Sequence, residues 1–216
     1  MPVGHDPDFP FFARACDELG VRLTIETYQT LLRYARLIRD YNQQVNLISR
    51  KDTHRIFTYH ILDSLAVNRF VPNKPRCADL GAGGGFPGIP LAILRPDLKM
   101  ILIESIKKKC WFLDFALAEL GLKNAQVLCH RAEALAPLQC DIILSRLTAP
   151  LEKTLNYAAL HLKPGGILIV YKTTNWKVEF EKQKKALTSS NFHFLKSAVV
   201  TLPISGIERT FLFFTR

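Results

Sequence analysis

The run Asp79-Leu80-Gly81-Ala82-Gly83-Gly84-Gly85-Phe86-Pro87-Gly88 holds the residue types with the clearest chemical potential in this chain. It joins a strand-like end, Cys77 to Leu80, to the helical run Ile89 to Leu94. A strand that ends in glycines and turns into a helix exposes bare backbone, and the helix start offers unpaired N–H groups to a ligand. Gly83, Gly85 and Gly88 match the dinucleotide fingerprint G-x-G-x-x-G. Two neighbours point elsewhere. Asp79 precedes the first glycine, and Pro87 stands where a pyrophosphate-binding helix should present a donor. S-adenosylmethionine, cationic and without a pyrophosphate, suits an acid there better than a dinucleotide does.

Further candidates lie at the ends of later strand-like runs, where ligands gather in open α/β sheets. Glu104 closes the run Met100 to Ile103, 19 residues after Gly85, the spacing of a carboxylate that grips ribose hydroxyls. Ser105 follows it. The stretch His130-Arg131-Ala132-Glu133 is placed to frame an adenine. The run Asp141 to Ser145 ends in Arg146, at the position that faces a transferred methyl. There is no Asp/Asn/Ser-Pro-Pro-aromatic box here and no nucleophilic cysteine. An acceptor with a free lone pair, such as guanine N7, needs no base; it needs in-line placement against the methyl carbon. A guanidinium at this place suits guanine O6, a phosphate or the cofactor carboxylate.

These residues must be positioned by a regular frame. Strand-like runs at 77–80, 99–104, 125–129, 141–145 and 166–171 alternate with helical stretches, so a doubly wound parallel sheet is expected. Lys109 to Leu120 is the clearest helix of that set, with Trp111, Phe115 and Ala118 on one side and Gly121 as its stop. Runs at 192–201 and 207–214 lie close enough to pair antiparallel. Five parallel strands with a terminal hairpin is the sheet of S-adenosylmethionine-dependent methyltransferases. Upstream, Tyr28, Leu31, Leu32, Ala35 and Ile38 mark an amphipathic helix within 24–41, with Thr24 or Thr27 as its cap, and a second helix is expected from Thr53 to Phe70. Val71-Pro72-Asn73-Lys74-Pro75 then reads as a linker. The expected organisation is a helical extension over 1–75 and a methyltransferase domain over 76–216.

The chain has 216 residues and a net charge of +10. Residues 1–75 carry ten Lys/Arg against eight Asp/Glu, and residues 76–216 carry nineteen against eleven, so the excess lies in the C-terminal part. A folded basic domain of this kind suits a polyanion such as RNA. No apolar run reaches membrane-spanning length and no leader pattern opens the chain, so a cytoplasmic protein without a membrane partner is expected. Cys16, Cys77, Cys110, Cys129 and Cys140 are scattered, with no C-x-x-C; buried thiols are expected, without a metal or a disulfide framework.

Taken together, several motifs resemble the bacterial small-subunit ribosomal RNA guanine-N7 methyltransferases, the glucose-inhibited division protein B family. They include Asn42-Gln43-Gln44-Val45-Asn46-Leu47, His60-Ile61-Leu62-Asp63-Ser64-Leu65 and Gly85-Phe86-Pro87-Gly88-Ile89-Pro90-Leu91. Glu104-Ser105, Lys108-Lys109, Phe112-Leu113, Arg131-Ala132-Glu133, Ser145-Arg146, Lys172 and Glu208-Arg209 complete the set. The resemblance implies methyl transfer from S-adenosylmethionine to N7 of one guanine in the decoding region of 16S rRNA, by a monomer acting on rRNA or the small ribosomal subunit. It implies cofactor contacts at Gly81, Phe86, Ala132, Glu133 and Arg146, to which the reading of the glycine turn and the second strand end adds Ala82, Gly83, Gly85, Glu104 and Ser105. It also implies a cationic active-site face of Arg131, Arg146, Lys172 and Arg209, whose like charges would repel unless an anion relieves them. His60 and Asp63, one turn apart, are expected to support the site or cap their helix. Gly84, Leu147 and Thr173 depart from the family's usual Ala or Pro, Ala and Gly. Two competing readings are a nicotinamide-dependent oxidoreductase using Gly83, Gly85 and Gly88, and a non-enzymatic RNA-binding assembly factor.

Overall fold

The computed structural model describes residues 6–146, 150–173, 176–182 and 191–216. Seven strands form one sheet: β1 (Arg76–Leu80), β2 (Lys99–Glu104), β3 (Ala125–Cys129), β4 (Cys140–Arg146), β5 (Leu162–Lys172), β6 (His193–Thr201) and β7 (Glu208–Thr215), in the order β3-β2-β1-β4-β5-β7-β6. Strands β1 to β5 pair in parallel, and β7 inserts antiparallel between β5 and β6. The expected sheet and its terminal hairpin are therefore present. Chain order reverses at β1, whose neighbours are β2 and β4, and there the crevice opens at the strands' carboxyl ends.

Alternation along the strands divides the core in two. Cys77, Met100, Leu102, Ile142, Leu144, Ile169, Phe211 and Phe213 face one layer, and Ala78, Ile101, Ile103, Ile143, Leu168, Leu212 and Phe214 face the other. The first layer is covered by α4 (Gly88–Leu94), α5 (Lys107–Leu120) and the N-terminal elements α1 (Phe9–Glu18) and α2 (Ile25–Asn42). The second is covered by α6 (Leu151–His161), with Trp176 and Phe180 of α7 (Trp176–Lys182) packed against it. Thr24, rather than Thr27, caps α2, accepting from Thr27 N at 3.2 Å.

Two expectations for the N-terminal part change. The segment from Arg50 to Phe70 is not one helix. It runs as a 3-10 turn (Arg50–Arg55), a π turn (Ile56–Ile61), a short α3 (Leu62–Leu65) and a second 3-10 turn (Ala66–Phe70). His60 to Val67 are all buried, so the middle of the segment has no solvent face and its turns there follow the packing around it, while Arg50, Lys51, His54, Arg55 and Arg69 are exposed. The Pro-containing stretch after it is tied down. Arg95 donates to Val71 O and Pro72 O, and Asp97 accepts from Lys74 N at 2.8 Å. One apolar cluster runs continuously from Phe12 and Tyr34 to Leu102 and Phe213.

The cysteines also differ from expectation. Cys110 and Cys129 form a disulfide, while Cys16, Cys77 and Cys140 are buried thiols. The pair is 19 residues apart in sequence, but α5 packs on β3 and brings the two Cα atoms to 5.6 Å. Spacing alone carries no sign of that approach.

The start of α4 shows why a glycine is needed there. A Cβ on Gly88 would stand 2.3 Å from Leu102 Cδ2 and 2.9 Å from Asp79 Oδ2. Gly88→Ala should therefore lose about 1–3 kcal/mol by overpacking, read as a lower urea midpoint with an unchanged slope. An unchanged midpoint would show that α4 does not lie this close to β1 and β2.

Candidate active site

The turn after β1 is built from backbone contacts to β2. Gly81 N and Ala82 N both donate to Ile103 O, at 2.9 and 3.0 Å, and Gly83 N donates to Glu104 Oε2 at 2.9 Å. Gly81 and Gly83 have φ of 76° and 58°, a region that side chains adopt at a cost. Glu104 Oε1 accepts from Ser105 N and Ile106 N as well. Three of the four lone-pair places of this carboxylate are used, which leaves one for a hydroxyl. Beside it lies a cavity of about 140 Å³ lined by Gly81, Glu104, Ser105, His130, Arg131, Ala132, Glu133 and Tyr157, among others. Its acid, with one lone-pair place left, suits a sugar hydroxyl.

Asp79 does not reach that cavity. Its Oδ2 accepts from Gly88 N at 2.8 Å, its Oδ1 has no partner, and the residue is fully buried. Burial pushes its carboxyl up to about 7, against the smaller opposing effects of Gly88 N and Arg146. Asp79 therefore occupies the start of α4 that a pyrophosphate would need, a second obstacle to the dinucleotide reading beside Pro87. Gly85 also turns from the ligand side. A Cβ there would meet Ile89 at 2.6 Å and the Tyr34 hydroxyl at 2.9 Å, and Gly85 lines neither cavity of the crevice. The structure gives Gly85 a packing role beside Ile89 and Tyr34.

A second cavity of about 330 Å³ continues past Gly81, lined by Ala82, Gly83, Gly84 and Phe86 on one side and Leu47, Ile48 and Ser49 on the other. The second wall comes from the N-terminal part. Asn42 is buried at the end of α2, and its Oδ1 accepts from both Leu47 N and Ile48 N at 2.9 Å, which bends the chain toward the glycine turn. Tyr34 donates to Gly84 O at 2.6 Å from the same helix.

Arg146, 6% exposed, closes this cavity. Its Nη2 lies 2.7 Å from His60 Nδ1 and its Nε 3.3 Å from Asp63 Oδ2, while its Nη1 is buried without a partner. A guanidinium only donates, so His60 Nδ1 accepts and the imidazole proton sits on Nε2, 3.5 Å from Asp52 Oδ2. Burial, helped by Arg146, holds His60 down to about 3, so the ring is neutral. Phe86 packs beside it, tilted by 32° and 5.0 Å from the His60 ring, with the Arg146 guanidinium 5.8 Å from its own. Asp63 is completely buried and also binds Arg209, with Nε–Oδ1 at 2.6 Å and Nη2–Oδ2 at 3.1 Å.

The expected cationic face is therefore dismantled. Arg209 is 2% exposed and committed to Asp63, with Nη1 also donating to Lys172 O at 3.5 Å. Arg146 is neutralised by the same carboxylate. Arg131 sits apart at the cavity beside Glu104, its side chain 76% exposed and 4.0 Å from Glu133. Lys172 is half-buried and lines neither cavity. A local reading missed this because the neutralising acid comes from the N-terminal segment, 146 residues from Arg209. Ala132 is buried, and its carbonyl accepts from His161 Nε2 at 2.9 Å. Leu147 lies outside the described residues; Thr173 is exposed.

A larger cavity, about 750 Å³, lies elsewhere, among Arg39, Asn42, Gln43, Arg50, Thr53 and His54. It has no glycine turn and no unpartnered buried donor, so the crevice at β1 remains the candidate site. Among the described residues no cluster could hold a metal, and no helix is long and apolar enough to cross a membrane.

A sheet with this order, an antiparallel β7, a glycine turn after β1 and an acid ending β2 defines the class I methyltransferase fold. Solved structures agree: the crystal structure of M. jannaschii TYW2 in complex with AdoMet matches with a TM-score of 0.55 and 18% identity, over 68% of this chain and 72% of that one. The chain belongs to the family described as rRNA small subunit methyltransferase G, GidB, whose model matches residues 27–205. A protein of Chlorobium phaeobacteroides named ribosomal RNA small subunit methyltransferase G is 37% identical over 91% of this chain and 88% of its own length. One of the same name from Paracoccus denitrificans is 41% identical over 70% and 79%.

Asp63→Ala would leave two buried guanidinium groups without their shared carboxylate. Loss of one partner from a buried pair costs about 3–5 kcal/mol, so the variant should unfold at a much lower denaturant concentration. A loss below about 1 kcal/mol, the range of exposed pairs, would mean that the cluster is solvated.

Proposed function

We propose that this protein transfers the methyl group of S-adenosylmethionine to N7 of a guanine in small-subunit rRNA, acting as a cytoplasmic monomer. Residues 1–75 are its N-terminal extension, whose Leu47, Ile48 and Ser49 wall one side of the cleft, and residues 76–216 are its methyltransferase domain. Glu104 and Gly83 hold the ribose, Ser105, Ala132 and Glu133 frame the adenine, and Gly81, Ala82 and Phe86 line the path to the methyl group. The single observation that carries the reading is the unpartnered, buried Nη1 of Arg146 at the end of β4. That donor lies where acceptor and cofactor meet, and it matches a cofactor carboxylate or guanine O6. S-adenosylmethionine supplies an activated methyl on sulfur; this chain supplies orientation, worth several kcal/mol when the geometry is held. Asp52 and His60 keep the guanidinium in place from one side and Asp63 from the other.

The cavity offers little for an acceptor that must lose a proton. Asp52 Oδ1 accepts twice from Arg55, at 2.6 and 2.9 Å, and His60 Nδ1 is taken by Arg146. Guanine N7 already carries its lone pair, so it needs neither group as a base. The single-turnover rate should not climb through near-neutral pH, because the neutral His60 titrates only near 3 and Asp79, pushed up to about 7, is fully buried and lines neither cavity. A rate that climbs tenfold per pH unit toward pH 9 would point to an amine or hydroxyl acceptor.

Arg146→Lys tests the centre of the site. A lysine cannot bind Asp63, His60 and a third acceptor from one plane. The rate should fall at least about tenfold, some 1.4 kcal/mol, and N7-methylguanine should disappear from 16S rRNA in a strain that lacks the protein. Calorimetric binding of NADH with no heat from S-adenosylmethionine would overturn the reading, as would an intact methylation pattern in the deletion strain.

A further inference from the structure

The side of α5 that carries Trp111 and Phe115 is not its core face. Cys110, Phe112, Leu113, Ala116, Leu117 and Leu120 are buried, whereas Trp111 is 55% exposed. The indole is nevertheless held firmly. It lies parallel to Phe115 one turn on, with planes 6° apart and centroids 5.5 Å apart, and Tyr41 of α2 tilts against both rings. Lys107 and Lys108 stand three and four residues before Trp111, so they share its face. Both are exposed, and Lys109 lines the cavity beside Gly83 and Arg146.

Stability explains neither feature. A rigid indole left open to water forgoes the burial that an aromatic side chain normally gains. Three lysines in the first turn of a helix oppose its dipole, which favours acids there. Among the described residues none of the three joins an ion pair, and Asp114 lies a turn beyond the ring. A flat, preordered aromatic beside exposed cations is the arrangement that binds single-stranded nucleic acid: the ring stacks on a base and the ammonium groups meet its phosphates.

We propose that this face of α5 is a stacking platform for an unpaired base of the substrate RNA outside the cavity, with Trp111 under the base and Lys107 and Lys108 on the backbone. The inference rests on the rRNA-methyltransferase reading above and adds a second contact for the same RNA. Lys109, about 200° round the helix from Trp111, lines the cavity, so the indole meets a part of the RNA other than the target base. The net charge of +10 favours a polyanion over an acid-poor apolar partner at the same surface.

The full-length protein with S-adenosylmethionine bound provides the test, titrated with 16S rRNA transcript at several salt concentrations. Trp111→Ala should weaken RNA binding at least about fivefold without changing the slope of log affinity against log salt. Trp111→Phe should recover most of the loss. Lys107→Ala with Lys108→Ala should flatten that slope by about one to two units. S-adenosylmethionine affinity should be unchanged in all three, as these residues line neither cofactor cavity; the urea midpoint should fall slightly in Trp111→Ala, which loses its contacts with Phe115 and Tyr41, and hold or rise in the lysine variant. If wild type binds and methylates RNA while Trp111→Ala binds equally well, the platform is overturned and the enzyme reading stands. If wild type neither binds nor methylates RNA, both fall together.

Discussion

The buried carboxylate of Asp63 is the contact on which the rest of the site depends. It joins three parts of the molecule at one point: its own N-terminal segment, Arg146 at the end of β4 and Arg209 at the start of β7. Two guanidinium groups without that acid would be untenable in the core, since desolvating a charge costs more than packing returns. With it, each arginine acquires a fixed orientation. Arg146 gains a second restraint from His60, and only its Nη1 is left over. The cluster is a structural device whose by-product is one aimed donor.

The same logic governs the glycine turn. Most of its N–H groups are already spent on Ile103, Glu104 and Ala82, so the loop cannot act as a phosphate cradle. What it offers is proximity and two openings on either side of Gly81, one suited to a sugar hydroxyl and one to the reacting end. Tyr34 and the Asn42 bend hold the N-terminal wall against this turn. Movement of that wall would alter the acceptor cavity directly, because Leu47 to Ser49 form part of its lining. The helical N-terminal part is thus coupled to the site by packing and hydrogen bonds as well as by the chain.

Much of the fold was legible from the amino-acid order. Alternating strand-like and helical runs, the glycine turn, Glu104 at the proper spacing and the short link before the last strand all rest on local patterning. The N-terminal segment resisted for a definite reason. His60 to Val67 are buried on every side, so no amphipathic period survives to report the turns. The disulfide and the true core face of α5 were equally silent, since both depend on which layer packs against which strand.

By itself the sequence determined the class of sheet, the succession of strands and helices along the chain and the positions where ligand groups can gather, because these follow from short-range periodicity and turn chemistry. The tertiary structure alone decided how charge is distributed among those positions. Arg146, Lys172 and Arg209 read as a repelling cationic face until Asp63 arrives from the other end of the chain, and Arg131 proves to belong to a different cavity. A Coulomb interaction depends on distance in space and on the dielectric around it. Neither quantity is written in the linear order of residues.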